Sequence, residues 1–483
     1  MTRECEPIAP AALDELKSLL GPGGYLDAPA DIEPFVVDHR RRYRGDAPLV
    51  ALPDSTAAVS ALLRRCAALG VGVVPHGGNT GYCGAATPRP GGREIVVSLR
   101  RMGRIRAVEP AGNSITVEAG CILQEVQAAA EAADRLFPMS LGSGGSCTIG
   151  GNLSTNAGGT AVLRYGMMRD LVLGLEVVLP DGRVLDQLRA LRKDNTGYDL
   201  RHLFIGAEGS LGIITAACLK LFPRPRGHAT AFVALDDPAA AVRLLDRLRA
   251  GLGDTVTTFE LVPRIALDLA CRHVPGCSDP FGAPAPWYVL LEVSLPAAAA
   301  GLGDALEARL AAGLETSELR DAVIAASLAQ REALWRLRES IPAAQTREGA
   351  SLKHDISIET HALPAFVEAG RSLLERLVPG SRLVAYGHLG DGNLHFNLSG
   401  PAGGDDAAFL ARGAELRRAV HDLVASYRGS FSAEHGIGQD KVAELERYED
   451  PVALDLMRGI KRLLDPQGIM NPGKVLRGLE EAR

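Results

Sequence analysis

The stretch Gly142-Ser-Gly-Gly-Ser-Cys-Thr-Ile-Gly-Gly-Asn-Leu-Ser-Thr-Asn-Ala-Gly-Gly159 constrains this chain more than any other, because seven of its residues are glycine and none carries a charge. A free linker can have that composition. Here, however, Ile149, Leu153 and Ala157 recur at four-residue spacing, which predicts an apolar face and a packed segment. Packed glycines among hydroxyl and amide side chains bring backbone N–H groups close to whatever lies beside them, so the expectation is a segment wrapped around a polar ligand. A second such feature precedes it. The apolar strand expected at 71–75 empties into His76-Gly-Gly-Asn-Thr-Gly-Tyr-Cys-Gly84, an arrangement that turns N–H groups toward a phosphate.

A different chemistry is written further on. In Ala385-Tyr-Gly-His-Leu-Gly-Asp-Gly-Asn-Leu-His-Phe-Asn397, strand-like flanks enclose the turn Gly390-Asp391-Gly392. His388 and His395, seven positions apart, would face opposite sides of a straight strand; a reversal at the turn brings both to one side, and Asn397 shares the face of His395. About forty residues later comes Ser432-Ala-Glu-His-Gly-Ile-Gly438. Two imidazoles and one carboxylate with an open position form the ligand set of a catalytic zinc or similar divalent ion, and Glu434 supplies the carboxylate. His435 points elsewhere in an extended segment and is available as a base. The competing reading, ordinary loop histidines satisfying backbone groups, is disfavoured by the glycines around both segments.

Composition narrows the classes. The 483 residues hold about three domains' worth of chain, and 46% hydrophobic with 23% charged residues is ordinary for a globular protein. A net charge of −6 and the lack of a long basic run give no reason to expect nucleic acid. Eight scattered cysteines without a C-x-x-C pair fit reduced thiols. Met1-Thr-Arg-Glu-Cys-Glu-Pro7 lacks the apolar core of a secretory signal, and the Ala-rich stretch 296–314 is interrupted by Asp304, Glu307 and Arg309. No transmembrane segment is expected, and the location expected is cytoplasmic.

Periodicity predicts helices at 11–20, 57–69 and 123–134, strands at 95–99 and 115–119, and a hairpin of 175–179 and 183–185 about Pro180-Asp-Gly182. Phe204-Ile-Gly-Ala-Glu-Gly-Ser-Leu-Gly-Ile-Ile-Thr215 reads as strand mixed with close-approach glycines. After Pro223-Arg-Pro-Arg-Gly227 the pattern becomes strand 230–235, helix 238–250, strands 257–261 and 288–293 and helix 302–314, a ferredoxin-like order. Helices 328–346, 364–377, 409–427 and 451–464 and a strand at 353–358 complete the expectation. Gly468 to Lys474 has P-loop spacing, but Val475 stands where a Ser or Thr must be, and no G-x-G-x-x-G opens a helix after a strand.

Seven motifs carry a family resemblance: Pro75-His-Gly-Gly-Asn-Thr-Gly81, the wrap ending at Gly159, Arg192-Lys-Asp-Asn-Thr-Gly-Tyr-Asp199, Gly209-Ser-Leu-Gly-Ile-Ile-Thr215, the segment 387–395, Ala433-Glu-His-Gly436 and Asn471-Pro-Gly473. In order and spacing they resemble the FAD-linked D-2-hydroxyacid dehydrogenases of the vanillyl-alcohol-oxidase superfamily, within them the D-2-hydroxyglutarate dehydrogenases, over nearly the whole chain. The resemblance implies an α+β protein with a two-part FAD-binding domain of the PCMH type at 1–223, a ferredoxin-like substrate or cap domain at 224–425, and a helical C-terminal segment, 426–483, returning to the flavin.

It further implies that noncovalent FAD is held by Pro75, Gly77, Gly78, Asn79, Thr80, Gly81, Gly145, Ser146, Gly150, Gly151, Asn152, Ser154, Thr155, Asn156, Gly158, Gly159, Gly209, Gly212, Ile213 and Asn471. The family's metal pattern, with Zn2+ as the ion, falls on His388, His395 and Glu434, its acid/base histidine on His435, and its substrate anchors on Arg338, Lys353 and Asn397. The reaction implied is oxidation of D-2-hydroxyglutarate or D-malate to the 2-oxo acid, with an electron-transfer flavoprotein or a quinone as acceptor; a homodimer is compatible with it. D-Lactate or glycolate dehydrogenation, a metallohydrolase and a silent nucleotide-binding scaffold stay open as alternatives. Departures from the family pattern are His76, where Gln or Arg is more familiar, Gly144, where an acidic residue is common, and Pro342 at a position that carries a hydroxyl in some members.

Overall fold

The computed structural model describes residues 7–296 and 301–477. The segment read for a secretory signal lies outside them apart from Pro7, as do residues 297–300 of the Ala-rich stretch. The chain forms two compact units, one of residues 1–159, 167–224 and 435–483, the other of residues 160–166 and 225–434.

The first unit holds two sheets. In one, Tyr25–Leu26, Val50–Ala51, Glu94–Ser98 and Gly72–His76 lie side by side in that order, with the last three strands parallel. Helix Thr56–Leu69 starts on a Ser55 side-chain cap and ends at the left-handed Gly70, and it buries Val59, Leu62, Leu63 and Cys66 against Val73, Ile95 and Val97. The other is a five-stranded antiparallel sheet ordered Ile105–Glu109, Ser114–Glu118, Ile213–Lys220, Val172–Val178 and Val184–Gln187. The C-terminal segment is built into this unit: Val73 N–H donates to Ile469 O at 2.8 Å and Asn471 N–H to Val73 O at 2.8 Å. Lys461, buried on helix Pro451–Leu464, donates to Ser210 O, Met470 O and the Asp465 carboxylate.

The second unit is one antiparallel sheet with both faces covered. Its order begins Asp321–Ile324, Gly227–Leu235, Trp287–Leu295, Val256–Pro263; the last three are the first, third and second strands of the ferredoxin-like order read from the sequence, and Asp321–Ile324 was not expected. It continues through Arg382–His388 and Asn393–Ser399, the latter also paired by Ser351–Leu352 and Asp355–Ser357. Alternate residues face opposite ways. Ala231 and Val233 pack with Leu244, Leu306 and Phe366 on one side, while Phe232 packs with Leu267, Leu290 and Leu337 on the other. Double coverage explains why these strands read as continuous apolar runs and not as alternation.

Several elements differ from the sequence reading. The single helix expected at 328–346 is two, Leu328–Glu339 and Ile341–Glu348, because Pro342 has no N–H to bond and its ring crowds the carbonyl four residues back. The expected strand 353–358 is Ser351–Leu352 and Asp355–Ser357, interrupted at Lys353 and His354. The expected helix 409–427 divides into Asp406–Ala411 and Gly413–Ser426. Phe204 ends a short helix, Arg201–Phe204, and the strand begins only at Ile213. Helices Pro29–Val36, Arg264–His273 and Val442–Tyr448 were not expected. The glycine-rich wrap does pack: Ile149 and Leu153 are fully buried on helix Ile149–Ser154, capped by Thr148, while Ala157 lies beyond the helix end and is half-buried.

Candidate functional site

In the second unit, strand Arg382–His388 turns through a single 3-10 turn, Leu389–Asp391, into Asn393–Ser399. The reversal brings the two histidines together, their ring centroids 5.6 Å apart. Ligand atoms of His388, His395 and Glu434 all lie within 4.8 Å of one another. Two neighbours that the sequence reading missed hold the group in place. Glu260, in the middle of strand Val256–Pro263, accepts from His388 Nδ1 at 2.5 Å, so Nε2 is the nitrogen left to face Glu434, 3.7 Å from its Oε1. A carboxylate on one imidazole nitrogen with the other directed inward is the arrangement that orients a metal-binding histidine. Asp355 accepts the Glu434 N–H at 2.8 Å through Oδ2 and Asn393 Nδ2 at 2.9 Å through Oδ1.

The electrostatics fit a cation. Burial by itself would lower the His388 imidazole, but the adjacent Glu260 carboxylate outweighs it and holds the ring at about 9. Burial raises Glu434 to about 7, with Asp355, Asp391 and Glu260 adding to the effect and His388 opposing it. Surplus carboxylates at a buried site are relieved by a divalent ion, and the donor set of two imidazoles and a carboxylate suits zinc or a similar metal.

The three expected substrate anchors sit in different settings. Arg338 is buried, with Nε and Nη2 both 2.7 Å from Glu260 Oε2 and its guanidinium 4.8 Å from the Tyr386 ring centroid. Glu260 therefore links Arg338 to His388. Asn397 is buried with both ends of its amide used, Nδ2 donating to Gln345 Oε1 at 2.9 Å and Oδ1 accepting from His354 N–H at 3.2 Å. It is placed to support the strand, and Lys353 is the exposed cation of the three. Arg338→Ala would leave the Glu260 charge buried beside one remaining partner, so a loss of about 3–5 kcal/mol in unfolding stability is expected. Denaturant unfolding measures it, and a loss below about 1 kcal/mol would show that the pair does not hold helix Leu328–Glu339 to strand Val256–Pro263.

His435 belongs to the first unit, where its ring meets Tyr82 edge to face, centroids 4.7 Å apart. The other first-unit residues expected at a cofactor converge there. Pro75 and His76 close strand Gly72–His76, and the loop Gly77, Gly78, Asn79, Thr80, Gly81 follows. A Cβ on Gly78 would lie 2.1 Å from Ser146 O, so this loop and the turn of Gly145 and Ser146 approach backbone to backbone. Gly150, Gly151, Asn152 and Ser154 lie on helix Ile149–Ser154, with Thr155, Asn156, Gly158 and Gly159 just beyond. Glu208 N–H donates to Ser154 O at 2.8 Å, which fixes the segment carrying Gly209, Gly212 and Ile213. Asn471 Nδ2 donates to Glu208 O at 2.7 Å.

These segments fit a dinucleotide by what they leave unsatisfied. Among the described residues, none of the backbone N–H groups of Gly77 to Gly81 donates to a protein acceptor. Both ring nitrogens of buried His76 and the Oδ1 of buried Asn471 also lack partners. Buried polar groups are ordinarily paired, so a row of free N–H groups beside buried orphan atoms marks where a polar ligand belongs. Burial pushes the His76 imidazole down to about 4, which keeps it neutral.

Comparison with known proteins agrees. Residues 47–187 match the family described as FAD binding domain, and residues 224–475 match FAD linked oxidases, C-terminal domain. A protein of Oryza sativa subsp. japonica named probable D-2-hydroxyglutarate dehydrogenase, mitochondrial, is 40% identical over 466 residues, 95% of this chain and 80% of the relative. The D-2-hydroxyglutarate dehydrogenase, mitochondrial, of Bos taurus is 40% identical over 97% of this chain and 85% of its own length. The D-2-hydroxyglutarate dehydrogenase of Xanthomonas citri pv. viticola is 38% identical over 92% and 93%. Among solved structures, p-cresol methylhydroxylase with bound substrate shares the fold at a TM-score of 0.75 and 17% identity, covering 98% of this chain and 99% of that one. With half the chain matched by one family model and relatives aligned almost end to end, this protein is an FAD-dependent oxidoreductase and belongs to the FAD-linked oxidase family together with the D-2-hydroxyglutarate dehydrogenases.

Proposed function

We propose that the protein oxidises a D-2-hydroxy acid to the 2-oxo acid, with D-2-hydroxyglutarate or D-malate preferred to D-lactate and glycolate. The observation that carries this reading is the end-to-end likeness to proteins named for that substrate, joined to a cluster of His388, His395 and Glu434 suited to a divalent ion. Bound FAD supplies the hydride acceptor for C2, and a divalent ion, Zn2+ in this reading, acidifies the hydroxyl. His388, through Nε2, His395 and Glu434 would hold the metal; Glu260 fixes the tautomer of His388, and Asp355 fixes the Glu434 backbone. His435 accepts the hydroxyl proton through a ring nitrogen. The FAD cradle is the loop at 77–81, the wrap at 145–159, the segment at 209–213 and Asn471, and binding is noncovalent. The match to FAD families argues against the metallohydrolase alternative; a silent scaffold would be yellow and would not bleach with any D-2-hydroxy acid.

Lys353 and Arg338 favour a substrate with a second anionic end, because a metal already holds one carboxylate with its hydroxyl. Arg338 is partly neutralised by Glu260, and Lys353 is the exposed cation of the pair. A charged contact contributes about 1.5–3 kcal/mol. Lys353→Ala is therefore expected to lower kcat/KM for D-2-hydroxyglutarate by about 10- to 150-fold, with D-lactate changed less than about threefold. An equal loss on both substrates would remove Lys353 from distal recognition. In the unmodified protein, kcat/KM for D-2-hydroxyglutarate, D-malate and D-lactate tests the substrate assignment, and D-lactate ranking first would overturn it.

Electrons leave to an electron-transfer flavoprotein or a quinone in this reading. Among the described residues no helix is long and apolar enough to cross a membrane. A cytoplasmic location remains part of the proposal; the Oryza and Bos relatives are named mitochondrial, the Xanthomonas one is not.

A further inference from the structure

Glu208 has no part in the reaction as derived above, yet it is a fully desolvated carboxylate in a functional loop. Its backbone is in the left-handed region, φ 50°, which a residue with a side chain rarely adopts. Four hydrogen bonds hold it there or use it. Its N–H donates to Ser154 O at 2.8 Å, its carbonyl accepts Asn471 Nδ2 at 2.7 Å, and its carboxylate accepts Ile437 N–H at 2.7 Å and Gly438 N–H at 2.8 Å. The last two groups lie two and three residues after His435. That loop, Gly436-Ile-Gly438, belongs to no helix or strand and has two glycines at positive φ, so the chain alone does not fix its path. Its far end is tied by Cys83 O, which accepts Gln439 N–H at 2.9 Å. Its near end is held by Glu208 and by the Cys83 thiol, which donates to Gly436 O at 3.4 Å. Gly436 is packed against the same carboxylate, since a Cβ there would lie 2.7 Å from Glu208 Oε1.

We propose that Glu208 is the positioning residue of His435: its carboxylate clamps the Ile437 and Gly438 N–H groups and so carries the placement of the FAD-binding segments over to the base. Hydrogen bonds to a carboxyl oxygen away from water are strong, and a displacement of about 1 Å at a reacting group costs on the order of a hundredfold in rate. The proposal rests on the reading of His435 as the base, and the test separates the two.

The experiment is a double-mutant cycle on the holoenzyme, reading the rate constant of anaerobic flavin reduction by D-2-hydroxyglutarate in the unmodified protein, Glu208→Gln, His435→Ala and the double variant, with FAD content measured for each. Glutamine keeps the size of the side chain but offers one acceptor to two donors. Glu208→Gln is expected to slow reduction by about 10- to 100-fold with FAD content unchanged, and to add less than about twofold in the His435→Ala background, because a residue acting through another has nothing left to act on. Factors that multiply in the double variant, or a Glu208→Gln protein reduced at the normal rate, would overturn the positioning role while His435→Ala still shows its own loss. A His435→Ala protein as fast as the unmodified one would overturn the base assignment, and the positioning role with it. Should Glu208→Gln not yield holoprotein, Gly436→Ala disturbs the same contact from the loop side, and the same non-additivity with His435→Ala decides.

Discussion

Replacing His435 by Ala is expected to slow the reduction of bound FAD by a D-2-hydroxy acid by about two to four orders of magnitude, the usual scale for losing a general base. Colour and metal content are expected to stay. The proposed FAD cradle is formed by the segments around Gly77, Gly150 and Gly209, and the proposed metal ligands are His388, His395 and Glu434, so neither is removed with the imidazole. The ring lies against Tyr82 and is half-buried. Rapid mixing under anaerobic conditions measures the effect directly. A loss smaller than about tenfold would assign the proton to another acceptor.

Substituting any one of His388, His395 or Glu434 by Ala is expected to remove most of the divalent ion and most of the turnover while the protein stays yellow. Three ligands are the minimum for a catalytic site of this kind, and two hold the ion too weakly. Glu260→Gln should weaken metal binding by about 10- to 100-fold, since it no longer anchors His388 through a charged acceptor. Elemental analysis after dialysis against a chelator reads occupancy for all four variants. Full occupancy after any two of the three ligand substitutions would show that the ion, if bound, has other ligands.

Much of the site was legible because its chemistry is local in sequence. His388 and His395 lie on adjacent strands joined by one turn, and Gly390-Asp391-Gly392 announces the reversal. The ferredoxin-like sheet was legible for the same reason: strands covered on both faces read as apolar runs of the right length. Glu260 and Asp355 were missed because their roles arise from strand pairing across long separations, 128 residues between Glu260 and His388 and 79 between Asp355 and Glu434. Glu260 did leave a trace, a lone carboxylate inside Thr257-Thr-Phe-Glu-Leu-Val262, where burial demands a partner. Glu208 left a weaker one, since a glutamate in Gly206-Ala-Glu-Gly209 looks like turn chemistry until its contacts 229 and 230 residues away are seen. Asn397 and Arg338, which the family resemblance implies as substrate anchors, already have protein partners, Gln345 and His354 for the first and Glu260 for the second. The break at Pro342 was fully legible and simply outweighed by the apolar period on either side.

The central claim is the reading proposed above, that this chain is a flavin-dependent D-2-hydroxyacid dehydrogenase. It is tested most directly by taking the visible spectrum of the purified protein and then titrating it anaerobically with D- and L-2-hydroxyglutarate. The prediction is a yellow protein that releases FAD and not FMN on denaturation, and whose flavin bands bleach with the D enantiomer and not with the L. A protein that stays colourless after incubation with FAD, or a yellow one that no D-2-hydroxy acid bleaches, would contradict it.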